Sequence, residues 1–339
     1  RILSLRLRLL RDFMIIPTLR VCEDPREYDP VIELYLKLGV TVLRVNMARH
    51  SMEKYCSDVE YIRRVSGDRF QYMADIPLPG NKYRLALAPE RELSIGKGQH
   101  VVFSAGRTAD PDAIPVQIGS FAGTHPGDRI LIGDGELSFT VETVSEKQIA
   151  ASADNRGIIR GQRSFAVPGS LSYQLYSAAQ MERTLAAFQR MKPAKAVLSF
   201  SENVTVLDAV AQEFRRILPA IEIVPKIETQ LGVDRCAEIC AHYRETMLGR
   251  GDLALFSDPL RFGENQERVL DTARDKGTNP IAATDILASL YNGRIPSRGD
   301  LTDLYYLRCR GVKDIVASAG ISINPELFEA FCAYARDFI

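Results

Sequence analysis

At 339 residues, 46% of them hydrophobic and 25% charged, the chain is long enough for one large domain plus a smaller one and has an ordinary globular composition. Lys+Arg and Asp+Glu both number 43, so the net charge is zero, which excludes the basic field of a nucleic-acid binder and the acidic excess of a disordered chain. No run of 18 apolar residues occurs, so no membrane span is expected.

Residues 1–13 alternate apolar side chains with arginines, which leaves no uninterrupted apolar stretch for a secretory signal. They read as an N-terminal extension ahead of Met14. Strand-like, β-branched runs then alternate with amphipathic stretches: strand 14–19, helix 28–38, strand 41–45, helix 52–65, strand 70–75. At that point the rhythm breaks. Residues 85–165 hold short alternating runs (99–104, 129–132, 137–144, 148–151) separated by turn signals such as His125-Pro126-Gly127-Asp128 and Gly133-Asp134-Gly135. This segment predicts a small all-β domain. The alternation resumes with helix 178–191, strand 195–200, helix 204–218, strand 221–227, helix 232–241, strand 245–248, helix 264–276, strand 280–284, helix 301–310, strand 313–318 and helix 325–338. In helix 204–218, Val206, Val210, Phe214 and Ile217 form one buried stripe. Eight strand-then-helix units imply an α/β fold: a TIM (β/α)₈ barrel in parts 14–84 and 166–339, with the β domain inserted after barrel strand 3. An insertion on the catalytic face is placed to serve as a lid that excludes water.

Chemistry in such a barrel gathers where strands end. Four stretches end there: Leu43-Arg44-Val45-Asn46, Pro225-Lys226-Ile227-Glu228, Gly249-Arg250-Gly251-Asp252-Leu253 and Ala282-Ala283-Thr284, with Pro225 marking a strand exit. The period-2 spacing of Lys226 and Glu228 turns both to one side of their strand. An isolated Lys-x-Glu is usually a surface ion pair, but the apolar run before it favours a site. Glu228 and Asp252 come from consecutive strands about 4.8 Å apart, so two carboxylates there suit one hard dication, Mg²⁺ or Mn²⁺. Zinc is not expected, because no His or Cys stands at a strand end with ligand spacing. The glycines flanking Arg250 suggest a tight backbone turned to an anion, against the plainer reading of a loop turn. Arg44 suits phosphate or carboxylate through its planar fork. Asn46 and Asp75 read equally as ligands of a monovalent cation or as a hydrogen-bonded barrel mouth. Lys82 and Arg84 follow Asp75 at the hinge of the insertion as candidate substrate-binding cations, and Thr284 offers a hydroxyl to a substrate carboxylate. Of the four histidines only His50 lies near a strand exit. The six cysteines form no CxxC pair, so reduced structural thiols and a cytoplasmic setting are expected.

These motifs together resemble the pyruvate kinase family over roughly residues 17–318. Gly39-Val40-Thr41-Val42-Leu43-Arg44-Val45-Asn46 is similar to its glycine, apolar run and R-x-N. Lys226-Ile227-Glu228-Thr229 resembles K-I-E-N, and Arg250-Gly251-Asp252-Leu253 resembles A-R-G-D-L-G. Ala283-Thr284-Asp285-Ile286-Leu287-Ala288-Ser289 with Pro296-Ser297-Arg298-Gly299-Asp300 resembles A-T-Q-M-L-x-S and P-T-R-A-E. The resemblance implies that Glu228 and Asp252 bind Mg²⁺, Lys226 stabilises the phosphoryl group or enolate, and Arg44 holds phosphate. It further implies that Asn46 and Asp75 bind potassium, and that Thr284 with the backbone of Arg250-Gly251-Asp252 holds a pyruvate-type carboxylate. The departures are Ala48 and Ile76 in place of oxygen-bearing residues near the monovalent site, Ala254 and Leu255-Phe256 after Asp252, Asp285 for glutamine, and Glu202-Asn203 for basic residues. Potassium dependence is therefore left open. The chain ends at Ile339 with the last barrel helix, so the family's C-terminal domain is not expected.

The expected function is a Mg²⁺-dependent phosphotransferase of pyruvate kinase type, acting on a phosphoenolpyruvate- or pyruvate-like substrate and a nucleotide, in specialised metabolism. The alternatives are a metal-dependent aldolase or decarboxylase of a 2-oxo acid, and an inactive scaffold. A homo-oligomer is left open; nucleic-acid and membrane partners are not expected.

Overall fold

A computed structural model of the chain describes residues 13–48, 50–77, 83–133, 135–168, 177–293 and 295–337. Lys82 and residues 1–12 lie outside them. The described residues fall into two compact units, one within residues 1–77, 177–253 and 260–339 and one within residues 78–176 with 254–259.

The larger unit opens with β1 (Met14–Leu19), α1 (Asp29–Lys37), β2 (Val42–Asn46), α2 (Met52–Ser66) and β3 (Gln71–Ile76). The smaller unit contributes β4 (Tyr83–Arg84), β5 (Glu92–Ile95), β6 (His100–Ala105), β7 (Ile114–Val116), β8 (Arg129–Ile132), β9 (Leu137–Val144), β10 (Gln148–Ala153), β11 (Gly157–Arg160) and β12 (Ser164–Ala166). The chain then runs through α3 (Ala178–Met191), β13 (Lys195–Leu198), α4 (Val204–Ile217), β14 (Glu222–Ile227), α5 (Gln230–Asp234), α6 (Cys236–His242), β15 (Glu245–Gly249) and α7 (Arg250–Leu255). It ends with α8 (Phe262–Lys276), β16 (Asn279–Ala283), α9 (Arg298–Cys309), β17 (Asp314–Ala317), α10 (Ala319–Ile323) and α11 (Pro325–Asp337).

Eight parallel strands close into a barrel in the order β1-β17-β16-β15-β14-β13-β3-β2. The continuous apolar runs seen in the sequence are those of strands buried on both faces. Helix starts follow local chemistry. Ser51, Ser177, Asn203 and Ser297 each accept a backbone N–H in the first turn of the helix they precede. Gly67 closes α2 with φ of 66°, a conformation glycine adopts without a Cβ penalty.

Three local expectations are corrected. Pro225 lies inside β14, paired in register with Leu198, and the strand runs on to Ile227. The single helix expected at 232–241 is two, broken at Arg235. The stretch after Gly249 forms the short helix α7 rather than a glycine turn, and neither Gly249 nor Gly251 has positive φ.

The smaller unit is a seven-stranded sheet, β4-β12-β8-β9-β10-β6-β7, plus the pair β11-β5. Leu85, next to β4, bridges Val116 of β7, so its first and last strands approach each other. Phe103, Phe121, Phe139 and Phe165 fill its core.

Inside the barrel, every strand supplies one layer of contacts: Ile16, Val42, Met73, Val197, Val224, Met247, Ile281 with Ala283, and Val316. Strand side chains alternate, so residues two positions further along face the same side. From seven of the strands these are Thr18, Arg44, Asp75, Ser199, Lys226, Gly249 and Ser318. A dry apolar layer therefore carries a polar one directly above it, toward the strand C-termini.

Candidate active site

Asp75 is the centre of that polar layer. It is 1% exposed and in register with Asn46 of β2. Arg44 donates to Asp75 Oδ2 from Nε (2.9 Å) and Nη2 (2.5 Å), and its Nη1 donates to Thr18 Oγ1 at 2.9 Å. Lys226 Nζ donates to Asp75 Oδ1 and Oδ2 at 2.9 and 3.1 Å and stands 3.4 Å from Glu228 Oε2. Two cations thus face two carboxylates, all four largely buried.

Burial on its own would raise the pKa of Asp75, but Lys226 and Arg44 outweigh it and hold the carboxyl at about 2. Burial likewise opposes the ammonium of Lys226, and Asp75 and Glu228 overcome it, so its pKa moves up. Lys226 is consequently a fixed positive charge at neutral pH, suited to stabilising an anion and unsuited to accepting a proton.

The serines after β13 set the strand geometry here. Ser201 Oγ accepts from the Lys226 backbone N–H at 3.1 Å and donates to Leu198 O at 2.8 Å. Ser199 Oγ lies 3.5 Å from Asp75 Oδ1. Phe200 between them takes φ of 53°, a strained value for a bulky residue. The run Ser199-Phe200-Ser201 at a strand end was the sequence signal for this feature, and it was not read as one.

Gly249 acts by what it omits. A Cβ there would lie 2.5 Å from Glu228 Oε2 and 3.3 Å from Lys226 Cγ. The Glu228 carboxylate therefore occupies the space a side chain on β15 would fill. Asp252 follows three residues later, in the first turn of α7, half-buried. These two carboxylates are hard oxygen donors from neighbouring strand ends, and they fit Mg²⁺ or Mn²⁺. No group of three or more His, Cys, Asp or Glu placed to hold a metal occurs among the described residues.

Other expected residues are placed differently. Thr284 is exposed just past β16, with φ of 78°. Arg250, expected to bind substrate, directs its buried guanidinium to Thr284 O and to Asp303 of α9. Asp75, considered as a potassium ligand, has both oxygens engaged by Lys226 and Arg44, and Asn46 Oδ1 accepts the Ala48 N–H at 3.2 Å. Arg84 belongs to the smaller unit, where it donates to Gln162 O at 3.2 Å. His50 is exposed, its backbone N–H donating to Tyr55 Oη. All six cysteines are free thiols, five of them buried. Thr18, Ser199, Ser201 and Asp303 were not singled out from the sequence.

Residues 11–320 match the family model described as pyruvate kinase, barrel domain. The chain belongs to this family. Among curated proteins it is 26% identical over 282 residues to a pyruvate kinase of Aeropyrum pernix, covering 81% of this chain and 59% of that protein. It is 26% identical over 298 residues to one from Borreliella burgdorferi, covering 86% of this chain and 61% of that protein. With a pyruvate kinase of Thermoplasma acidophilum the identity is 28% over 278 residues, 78% of this chain and 47% of that protein. The chain therefore spans about half to three fifths of these relatives' length. Among the described residues no helix is long and apolar enough to cross a membrane.

Proposed function

We propose that this chain is a Mg²⁺- or Mn²⁺-dependent phosphotransferase acting on a pyruvate- or phosphoenolpyruvate-type enolate, with a nucleotide as the other substrate. The observation that carries this reading is the Lys226 ammonium, 3.4 Å from Glu228 Oε2 and bonded to an Asp75 carboxylate that stays ionised. A permanent cation next to a hard-metal ligand is what a developing enolate or phosphoryl oxygen requires.

In this reading Glu228 and Asp252 hold the metal, which supplies Lewis-acid polarisation of the substrate oxygens when bound. Lys226 faces the oxygen that becomes negative. Arg44, anchored through Asp75 and Thr18, presents the rest of its fork to phosphate. Thr284 and the backbone of Arg250-Gly251-Asp252 take the carboxylate. Asp75 serves mainly to fix Lys226 and Arg44. A role for Asn46 and Asp75 in holding potassium requires those ion pairs to loosen. Specialised metabolism remains part of the proposal, on the strength of Ala48, Ile76, Asp285 and Glu202-Asn203.

The test is exchange of pyruvate methyl protons with D₂O, followed by phosphoryl transfer from phosphoenolpyruvate to ADP. Mg²⁺-dependent exchange together with transfer supports the proposal. Exchange without transfer for any nucleotide replaces it with a 2-oxo-acid lyase. Absence of both overturns an enzymatic reading.

A further inference from the structure

Thr284 sits in a backbone conformation that its own side chain disfavours. It is β-branched, yet φ is 78°, and Asp285 and Leu287 follow in the left-handed region at 54° and 51°. Something outside the segment must hold it. Arg250 Nε and Nη2 both donate to Thr284 O, at 3.0 and 2.7 Å. Arg250 is 6% exposed, and its Nη1 donates to both carboxylate oxygens of Asp303 at 2.7 Å. Gln266 Oε1 stands 3.5 Å from the same Nη1. Asp303 belongs to α9, outside the barrel wall. One planar fork thus joins an outer helix to a single carbonyl at the mouth, a task a lysine's point charge cannot reproduce. Gly251 completes the arrangement, since a Cβ there would lie 2.8 Å from Thr284 Cγ2.

We propose that Asp303, acting through Arg250, is a positioning residue that fixes Thr284 in the left-handed conformation in which its hydroxyl receives the substrate carboxylate. The proposal rests on the reading of Thr284 as a carboxylate-binding residue, and its test separates the two. The full chain is compared as wild type, Asp303→Ala, Asp303→Glu, Arg250→Lys, Gly251→Ala and Gly251→Ala/Thr284→Ser. Five quantities are read: melting temperature, kcat and KM for Mg²⁺-dependent pyruvate proton exchange, Kd for oxalate, and the Thr284 backbone in crystals.

Asp303→Ala and Arg250→Lys are expected to raise KM and oxalate Kd by roughly 10- to 100-fold, with kcat within about threefold, as misplacement of one binding group does. Crystals of either variant should show Thr284 out of the left-handed region. Asp303→Glu should recover most of the loss. Thr284→Ser should rescue Gly251→Ala, because serine keeps the hydroxyl and lacks the obstructing methyl. Unchanged KM, unchanged Kd and an unmoved Thr284 in Asp303→Ala would overturn the proposal. So would a loss that follows melting temperature alone and is not recovered by Asp303→Glu. If the wild type neither exchanges protons nor binds oxalate, the functional reading fails, and the crystal comparison still decides whether Asp303 and Arg250 set the Thr284 backbone.

Discussion

Replacing Lys226 with methionine removes one of two cations from a buried group of four charges. In the native site Lys226 and Arg44 balance Asp75 and Glu228. The variant keeps a side chain of similar length and leaves two carboxylates, 2% and 1% exposed at their side chains, facing a single guanidinium. Breaking a buried pair on one side typically costs about 3–5 kcal/mol, because the remaining charge has no partner. Lys226→Met should therefore lose about that much stability in urea unfolding at neutral pH. Loss of the charge at the reacting oxygen should also lower proton-exchange or phosphoryl-transfer turnover by roughly 10²- to 10³-fold. The double variant Lys226→Met/Asp75→Asn separates the two effects. It restores the charge balance, so about 2 kcal/mol or more of stability should return. Activity should not return, since no cation replaces the ammonium. Recovery of activity alongside stability would show that Lys226 only neutralises Asp75, and the catalytic role would be refuted. Full turnover in Lys226→Met alone would refute it more directly.

Gly249→Ala places a methyl 2.5 Å from Glu228 Oε2, so the carboxylate must move; overpacking of this kind costs about 1–3 kcal/mol, and half-maximal Mg²⁺ for activity should rise at least tenfold. Mg²⁺ at 100 times its Kd should stabilise the wild type by about 2.7 kcal/mol in thermal unfolding, and Glu228→Gln should abolish the shift whether or not an activity is found. Asp75, held at about 2 against an ordinary 3.8, contributes stability that is complete above its unfolded pKa and disappears as pH falls from about 4 toward 2; Asp75→Asn should flatten the stability profile in that window. Asp314, at the opposite end of the barrel, is shifted the other way: burial raises its pKa and outweighs the hydrogen bond from Asn279, and the charge of Glu245 adds to the rise. Its folded state favours the proton, so its ionisation opposes folding as pH rises through the raised pKa. Asp314→Asn should accordingly raise the melting temperature at pH 7, with the gain shrinking toward pH 4.

The barrel was legible because its determinants are local. Eight apolar β-branched runs, each followed by an amphipathic stretch, admit few architectures, and the parallel closed sheet is the one that buries every run on both faces. Residue placement within the site was legible to the extent that strand alternation governs it. Lys226 and Glu228 share a face because they are two apart, and Arg44 and Asn46 do for the same reason. Places where the chain leaves regular geometry were not legible. Pro225 was expected to mark the exit of strand 221–227, whereas it lies inside β14, which ends at Ile227 as expected. The two glycines of Gly249-Arg250-Gly251 suggested a tight backbone turned to an anion, yet both lie in ordinary backbone without positive φ and leave space for Glu228 and Thr284.

Partner choice was the least legible property, for a physical reason. In the sequence Arg44, Lys226 and Arg250 are alike in that each is a cation at a strand exit. What distinguishes them is which carboxylate lies within reach, and that depends on long-range contacts. Asp75 meets Lys226 across 151 positions, and Arg250 meets Asp303 across 53. The outcome divides three similar side chains into three tasks. Arg250, buried and bonded to Asp303 and Thr284 O, shapes the mouth from behind. Lys226 shares its charge between Asp75 and Glu228 and stays cationic. Arg44 is the one of the three whose side chain keeps the most solvent access, 13% against 11% for Lys226 and 7% for Arg250, while Asp75 and Thr18 hold it in place. In the proposed site Lys226 serves the enolate oxygen and Arg44 the phosphate, an ordering of tasks set by their partners. Arg44→Lys tests that ordering: it retains the charge but loses the fork, so phosphate-dependent steps should weaken by about tenfold or more while metal-dependent proton exchange of pyruvate, which needs no phosphate, should stay within about threefold of wild type. Equal loss of both would place Arg44 at the enolate beside Lys226 and remove the distinction.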